Sequence, residues 1–308
     1  MPTPDPLPDP GVEPLVWRSL LYVPANNERF IAKAHARGAD GLILDLEDSV
    51  PAAERDRARA MLKESAASAG QGGADVLVRI NRPDDEAARD LEAAVIPEVR
   101  ALMLPKVDSA DHVRALAVRV EALEAERGMA PGAVEFVVMV ESPAALFRAA
   151  EIAGAHPRNA AAVLGGEDFA AAAGFEPDPE TLFLPKIWVL FAARAAGIVP
   201  LGMIGTVADY KDLGAVRETV RRSRRFGFEG ASCIHPSVVP VLNEEMAPSA
   251  EEVDRARRIV EAYRAAEKDG LGAIAVDGKM VDVPVAERAE ALLARHAAIE
   301  AREKGDRA

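Results

Sequence analysis

Apolar residues along this chain fall in short unbroken runs, each followed by a stretch with helical spacing. The first run covers residues 18–24 and precedes a helical stretch over 27–37. The next pairs are 41–47 with a helix over 52–67, 75–81 with 84–94, 101–106 with 110–126, and 135–141 with 144–153. A run around Leu164 ends in Gly165-Gly166-Glu167-Asp168 and precedes a helix within 183–196. Residues 200–205 precede a helix over 213–226, and 230–236 lead to a short helix near 238–243. Runs that are continuously apolar rather than alternating mark strands buried on both faces, as in parallel sheets. About eight strand–helix units over roughly 230 residues predict an α/β fold of the (β/α)8 TIM-barrel type. An open doubly wound sheet is the alternative. It calls for a glycine-rich phosphate turn after the first strand, and Pro24-Ala25-Asn26-Asn27 is not one.

Beyond the eighth unit, Ser249 with Glu252 three residues on reads as a capping box that opens a helix to residue 267. Residues 270–282 are glycine-punctuated and β-like, and 284–302 form an alanine-rich helix. The expected organisation is a disordered proline-rich tail over 1–16, a barrel over 17–247, and an extension over 248–308. That extension is too small to stand alone, so it packs on the barrel or on a neighbouring subunit.

Composition narrows the partners. The net charge is -13, from 37 Lys and Arg against 50 Asp and Glu, which argues against nucleic acid or an anionic membrane. A local cluster of Arg and Lys can still hold a small anion. The single cysteine, Cys233, lies in an apolar run, so it reads as a core residue and a cytoplasmic setting fits. The N-terminus lacks the basic-then-apolar pattern of a signal peptide, and no apolar run is long enough to span a bilayer.

In a TIM barrel the site forms at the C-terminal ends of the strands, and here nearly every apolar run ends in a polar residue. The second ends in Asp45, Glu47 and Asp48, the third in Arg79 and Asn81, and the fourth in Lys106. The fifth ends in Glu141, the sixth in Glu167 and Asp168, and the eighth in His235. Glu141 and Asp168 end adjacent strands and can converge on one ion. Two carboxylates plus waters suit Mg²⁺, whereas the 5 histidines offer no zinc-like spacing. Arg79 at a buried strand end needs an anion, supplied by Asp45 or Glu47, by a substrate carboxylate, or by both. Asp45 and Glu47 then act as supporting groups that orient Arg79 and metal-bound water. Lys106 reads as an ion-pair partner at the barrel mouth and His235 as structural.

With these residues in place, the chain resembles the citrate lyase β-subunit-like CoA-ester lyases of the HpcH/HpaI aldolase group, which include malyl-CoA lyases and related thioesterases. The resemblance rests on RSLLYVPANNERFIAKA (18–34), GLILDLEDSVP (41–51), VLVRINRP (76–83), LMLPKV (102–107), MVESPAAL (139–146), GGEDFA (165–170), IHPSVV (234–239) and GKMVDVPV (278–285). It implies a trimeric or hexameric barrel that binds Mg²⁺, with Mn²⁺ as the alternative, through Glu141 and Asp168. It implies that Arg79 contacts the reacting oxyacid and that Arg29 and Lys33 bind the phosphates of CoA. Asp282 matches an acid that related lyases insert into a neighbouring subunit's site as the catalytic base. The implied reaction is reversible Claisen-type cleavage of a 3-hydroxyacyl-CoA such as malyl-CoA to a 2-oxoacid and acetyl-CoA. The alternatives are a (3S)-malyl-CoA thioesterase, a lyase for a 2-oxo acid without CoA, and a non-autonomous citrate lyase β subunit. The chain departs from the family after the seventh strand, where Ile204 stands in place of an expected aspartate although Asp209 is kept. That loop borders the site, so substrate preference does not carry over with the fold; Leu184-Pro185-Lys186 is also unusual.

Overall fold

The structure, a computed structural model, describes residues 15–208 and 210–305. Most of the proline-rich tail and Asp209 therefore lie outside the described residues. The described chain divides into two compact units, Trp17–Met246 and a second that holds residues 15–16 and 247–305.

The first unit is built on eight parallel strands: β1 (Ser19–Pro24), β2 (Gly41–Asp45), β3 (Asp75–Arg79), β4 (Ala101–Leu104), β5 (Glu135–Val140), β6 (Asn159–Leu164), β7 (Val199–Leu201) and β8 (Ala231–Cys233). Each pairs with its neighbours in sequence order, and β8 returns to pair with β1. A parallel bridge between Leu201 and Gly230 links the β7 and β8 edges and closes the barrel. That closure needs a glycine, because a Cβ on Gly230 would lie 1.7 Å from Trp17 O.

The helices between the strands are α1 (Glu28–Ala34), α2 (Arg55–Gly70), α3 (Asp84–Ala94), α4 (Ala110–Glu126), α5 (Pro143–Leu146), α6 (Ala149–Ala153), α7 (Gly166–Ala173), α8 (Phe183–Ala195), α9 (Leu213–Phe226) and α10 (Val239–Glu245). Alternate strand residues, such as Leu42, Leu44, Val76, Val78, Leu102 and Val138, join helical residues in one continuous buried cluster. The other alternation, which includes Asp45, Arg79, Met103 and Glu141, faces the barrel axis.

Two features differ from the sequence expectation. The helix expected over 144–153 is split into α5 and α6. A further helix, α7, follows β6 directly, and the acids after Gly165-Gly166 sit in its first turn. Four alanines follow Phe169 and favour helix, and acidic side chains in a first turn are stabilised by the helix dipole.

The second unit contains α11 (Ala250–Lys268), an antiparallel hairpin of β9 (Ile274–Val276) and β10 (Lys279–Val281), and α12 (Val283–Lys304). Ser249 and Glu252 form the expected capping box. Ala256, Ile259, Val260 and Tyr263 of α11 pack with Val281, Ala286 and Ala289 in a core of its own. No helix among the described residues is long and apolar enough to cross a membrane.

Candidate active site

Register places the polar ring. Asp45 pairs directly with Arg79 in the β2–β3 ladder, and Arg79 pairs with Met103 in the next. Side chains at paired positions project to the same face, so the Asp45 carboxylate and the Arg79 guanidinium must meet. They form a two-pronged ion pair, with Nε donating to Oδ1 at 2.6 Å and Nη2 to Oδ2 at 2.7 Å. Arg79 Nη1 also donates to Asp48 Oδ2 at 3.1 Å and lies 3.0 Å from Glu47 Oε2. The guanidinium rests over the Tyr22 ring at 4.9 Å, a cation–π contact that the sequence reading did not anticipate. Burial alone would raise the Asp45 pKa, but the bonds from Arg79 outweigh it and hold the carboxyl ionised. The same partners push the Arg79 pKa up despite its burial.

Glu141 follows β5 and is 5% exposed. The Lys106 backbone N–H donates to its Oε2 at 2.5 Å. Lys106 reaches that position with φ at +50°, a left-handed conformation that is strained for a residue with a Cβ and is typical of functional sites. Its ammonium donates to Glu47 Oε1 at 2.5 Å and lies 3.9 Å from Asp168 Oδ1. The expected ion-pair role of Lys106 is thus observed, and it links β4 to the acids of β2 and α7. Burial, then the charges of Asp168 and Glu47, push the Glu141 pKa up to about 7. A buried carboxylate so placed gains from a cation. Glu47 is likewise raised by burial, and its Oε2, although near Arg79, makes no hydrogen bond among the described residues.

Space is reserved beside Glu141. A Cβ on Gly165 would lie 2.1 Å from Glu141 Oε1. Gly165→Ala is therefore expected to displace that carboxylate with the fold retained and, with Glu141 as the Mg²⁺ ligand proposed below, to weaken Mg²⁺ binding at least ~10-fold, as lost ligand support does. Titration calorimetry beside far-UV circular dichroism checks this.

Glu141, Glu167, Asp168, Asp45, Asp48 and Arg79 line one cavity of about 690 Å³. No three His, Cys, Asp or Glu side chains among the described residues form a ready metal cluster. Two carboxylates, Glu141 and Asp168, with room for water fit Mg²⁺, which keeps several waters, and do not fit zinc. The cavity extends to Phe30 and Ala34 of α1, to Arg37 in the turn that follows it, and to Ile234, His235 and Pro236. Arg29 and Lys33 are exposed on the same helix but do not line it. His235 has the expected structural role, since its side chain accepts from Ser237 N at the start of a short 3-10 helix, yet it also lines the cavity and stacks on Tyr210. Asn81 is structural, bonded to Asp90 and to Leu46 O. Cys233 is buried, and burial pushes its thiol up to about 12. Asp282 lies in the second unit, at the N-terminus of α12, where its side chain makes no capping bond.

The HpcH/HpaI aldolase/citrate lyase family pattern matches residues 18–236. Citrate lyase subunit beta of Escherichia coli K12 is 36% identical over 281 residues, covering 90% of this chain and 92% of that protein. A (3S)-malyl-CoA thioesterase of Cereibacter sphaeroides is 35% identical over 269 residues, covering 86% and 90%. The crystal structure of CitE from Mycobacterium tuberculosis with magnesium, acetoacetate and coenzyme A matches with a TM-score of 0.72 and 31% identity, over 93% of this chain and 100% of that one.

Proposed function

This chain belongs to the HpcH/HpaI aldolase/citrate lyase family of carbon–carbon lyases, and from that premise we propose that it is a Mg²⁺-dependent lyase. Its substrate is a 3-hydroxyacyl-CoA of the malyl-CoA type, cleaved reversibly to a 2-oxoacid and acetyl-CoA. The observation that carries this reading is the joint placement of Glu141, Asp168 and the clamped Arg79 on one cavity. Mg²⁺, when held by Glu141 and Asp168, supplies Lewis-acid polarisation of the 2-oxoacid carbonyl.

The chain's own residues do the rest. Arg79, fixed by Asp45, presents a charge that cannot be lost to the developing enolate oxygen. Asp45 and Glu47 orient Arg79 and water at the ion. In the condensation direction Asp282 takes a proton from the thioester methyl group, the resulting carbanion bonds to the 2-oxoacid carbonyl carbon, and the carbonyl electron pair moves to oxygen, which takes a proton from solvent to become the hydroxyl. In cleavage the hydroxyl loses its proton to solvent, the pair on its oxygen re-forms the carbonyl as the carbon–carbon bond breaks, and Asp282 returns the proton to the acetyl-CoA carbanion. Asp282 is donated by a neighbouring copy in a homotrimer or hexamer. In support, its carboxylate is not used by its own helix, and the flanking Met280 and Val283 are 69% and 50% exposed, apolar surface that a neighbour would cover. Arg29 and Lys33, exposed on α1 beside Phe30 and Arg37 at the cavity mouth, receive the CoA phosphates. A cytoplasmic setting fits the lone buried thiol.

The test is Mg²⁺-dependent release of glyoxylate from malyl-CoA. Release that stops on chelation is expected. Its absence with folded, Mg²⁺-loaded protein and every 3-hydroxyacyl-CoA tried would overturn the lyase reading. Two further readings draw on the relatives. Free CoA without acetyl-CoA would indicate a thioesterase, and activity only alongside partner subunits would indicate a citrate lyase β subunit.

A further inference from the structure

The segment after β7, which has no regular secondary structure, contributes Val207 to the cavity lining, and a single buried cation holds it from behind. Lys186 on α8 is 6% exposed. Its Nζ donates to Met203 O at 2.7 Å and also to Gly205 O. These carbonyls flank Ile204, whose N–H donates to Ser223 Oγ at 2.8 Å and whose side chain is buried. Position 204 thus places its side chain in the buried core rather than in the cavity. In front, Thr206 Oγ1 donates to Glu167 Oε1 and accepts from Ala208 N at 3.1 Å. Val207 and Glu167 line the cavity beside Asp168. The lysine stem also runs beneath the other half of the wall, since a Cβ on Gly166 would lie 3.8 Å from Lys186 Cε.

An apolar side chain would fill this place at less desolvation cost, because an ammonium buried without a carboxylate partner is unfavourable. No carboxylate among the described residues lies within ion-pair distance of Nζ, and burial brings its pKa down to about 8. What an apolar residue cannot do is bond two carbonyls of an irregular segment.

We propose that Lys186 is a positioning residue that sets the Thr206–Val207–Glu167 wall, and through it the fit of the small 2-oxoacid, without acting in the chemistry. This deepens the lyase reading and rests on it for its kinetic arm only. Lys186→Met and Lys186→Arg are compared in the full-length protein by hydrogen exchange over residues 202–208 and by condensation of glyoxylate with acetyl-CoA. In the Met variant, exchange in that segment should rise about tenfold or more as local opening becomes easier. KM for glyoxylate should rise about tenfold, with KM for acetyl-CoA and kcat within about threefold. The Arg variant, which keeps the donors, should restore both. If the Met variant fails to fold, Lys186→Gln, with one amide donor pair, takes its place. Unchanged exchange, faster exchange with unchanged KM for glyoxylate, or a kcat loss that Arg does not rescue each overturn the proposal. If the wild type condenses nothing, the lyase reading falls, and exchange alone decides the lysine: an unprotected segment in the Met variant supports it and a protected one overturns it.

Discussion

Glu141→Gln is expected to lose Mg²⁺ binding and turnover together. The substitution keeps the size of the side chain and removes the charge that would attract the ion, at a position only 5% exposed. Loss of a group that only supports a ligand costs ~10–100-fold in metal affinity, so loss of the ligand itself should exceed that, and titration calorimetry reads it directly. The same residue carries a pH signature. The rise of its pKa from the ordinary 4.5 to about 7 means that the folded, metal-free chain holds a proton that the unfolded chain has released. Stability of the metal-free protein therefore falls as pH rises through that window, by on the order of 3 kcal/mol. Excess Mg²⁺ should flatten the slope, and Glu141→Gln should lack it. Thermal melts between about pH 5 and 8 test this. A Gln variant with wild-type affinity, or with the wild-type slope, would remove Glu141 from the metal site.

Asp282→Asn is expected to fail differently. Removing a general base costs ~10²–10⁴-fold in rate, whereas Mg²⁺ affinity should stay at the wild-type value because the proposed ligands lie in the barrel. Unchanged turnover would dismiss Asp282 as the base. Co-expression with Glu141→Gln then asks where the base comes from. Each variant is inactive alone, but mixed oligomers contain sites with an intact metal set from one chain and an intact Asp282 from another. Recovered activity in the mixture places the base in trans, and none places it within the same chain.

Much of the barrel was legible because its strands are buried on both faces. Continuous runs such as Val76–Val78 and Val137–Met139 have no second reading once helical stretches of matching length alternate with them. The helix that contains Asp168 was not legible, because Gly165-Gly166 signals a turn and the run of alanines after Phe169 carries no amphipathic period. The ring of polar strand ends was visible one residue at a time. The roles of Tyr22, Thr206 and Lys186 were not, although Leu184-Pro185-Lys186 stood out as unusual, since nothing near them in sequence marks a cation–π floor, a hydroxyl on Glu167 or a cation buried under a loop.

The division follows from the range of the interactions. Periodicity is local, so the chain alone determined the eight strand–helix units, the polar residue at each strand end and the family motifs that single out Glu141, Asp168 and Arg79. Contacts among those residues are separated by 31 to 62 positions and depend on ladder register, which no local pattern encodes. Only the closed barrel decided that Asp45 clamps Arg79, that Lys106 joins Glu47 to Glu141, and that a glycine must face the Glu141 carboxylate. Each follows from strands paired at one fixed register, which brings distant side chains to a single face.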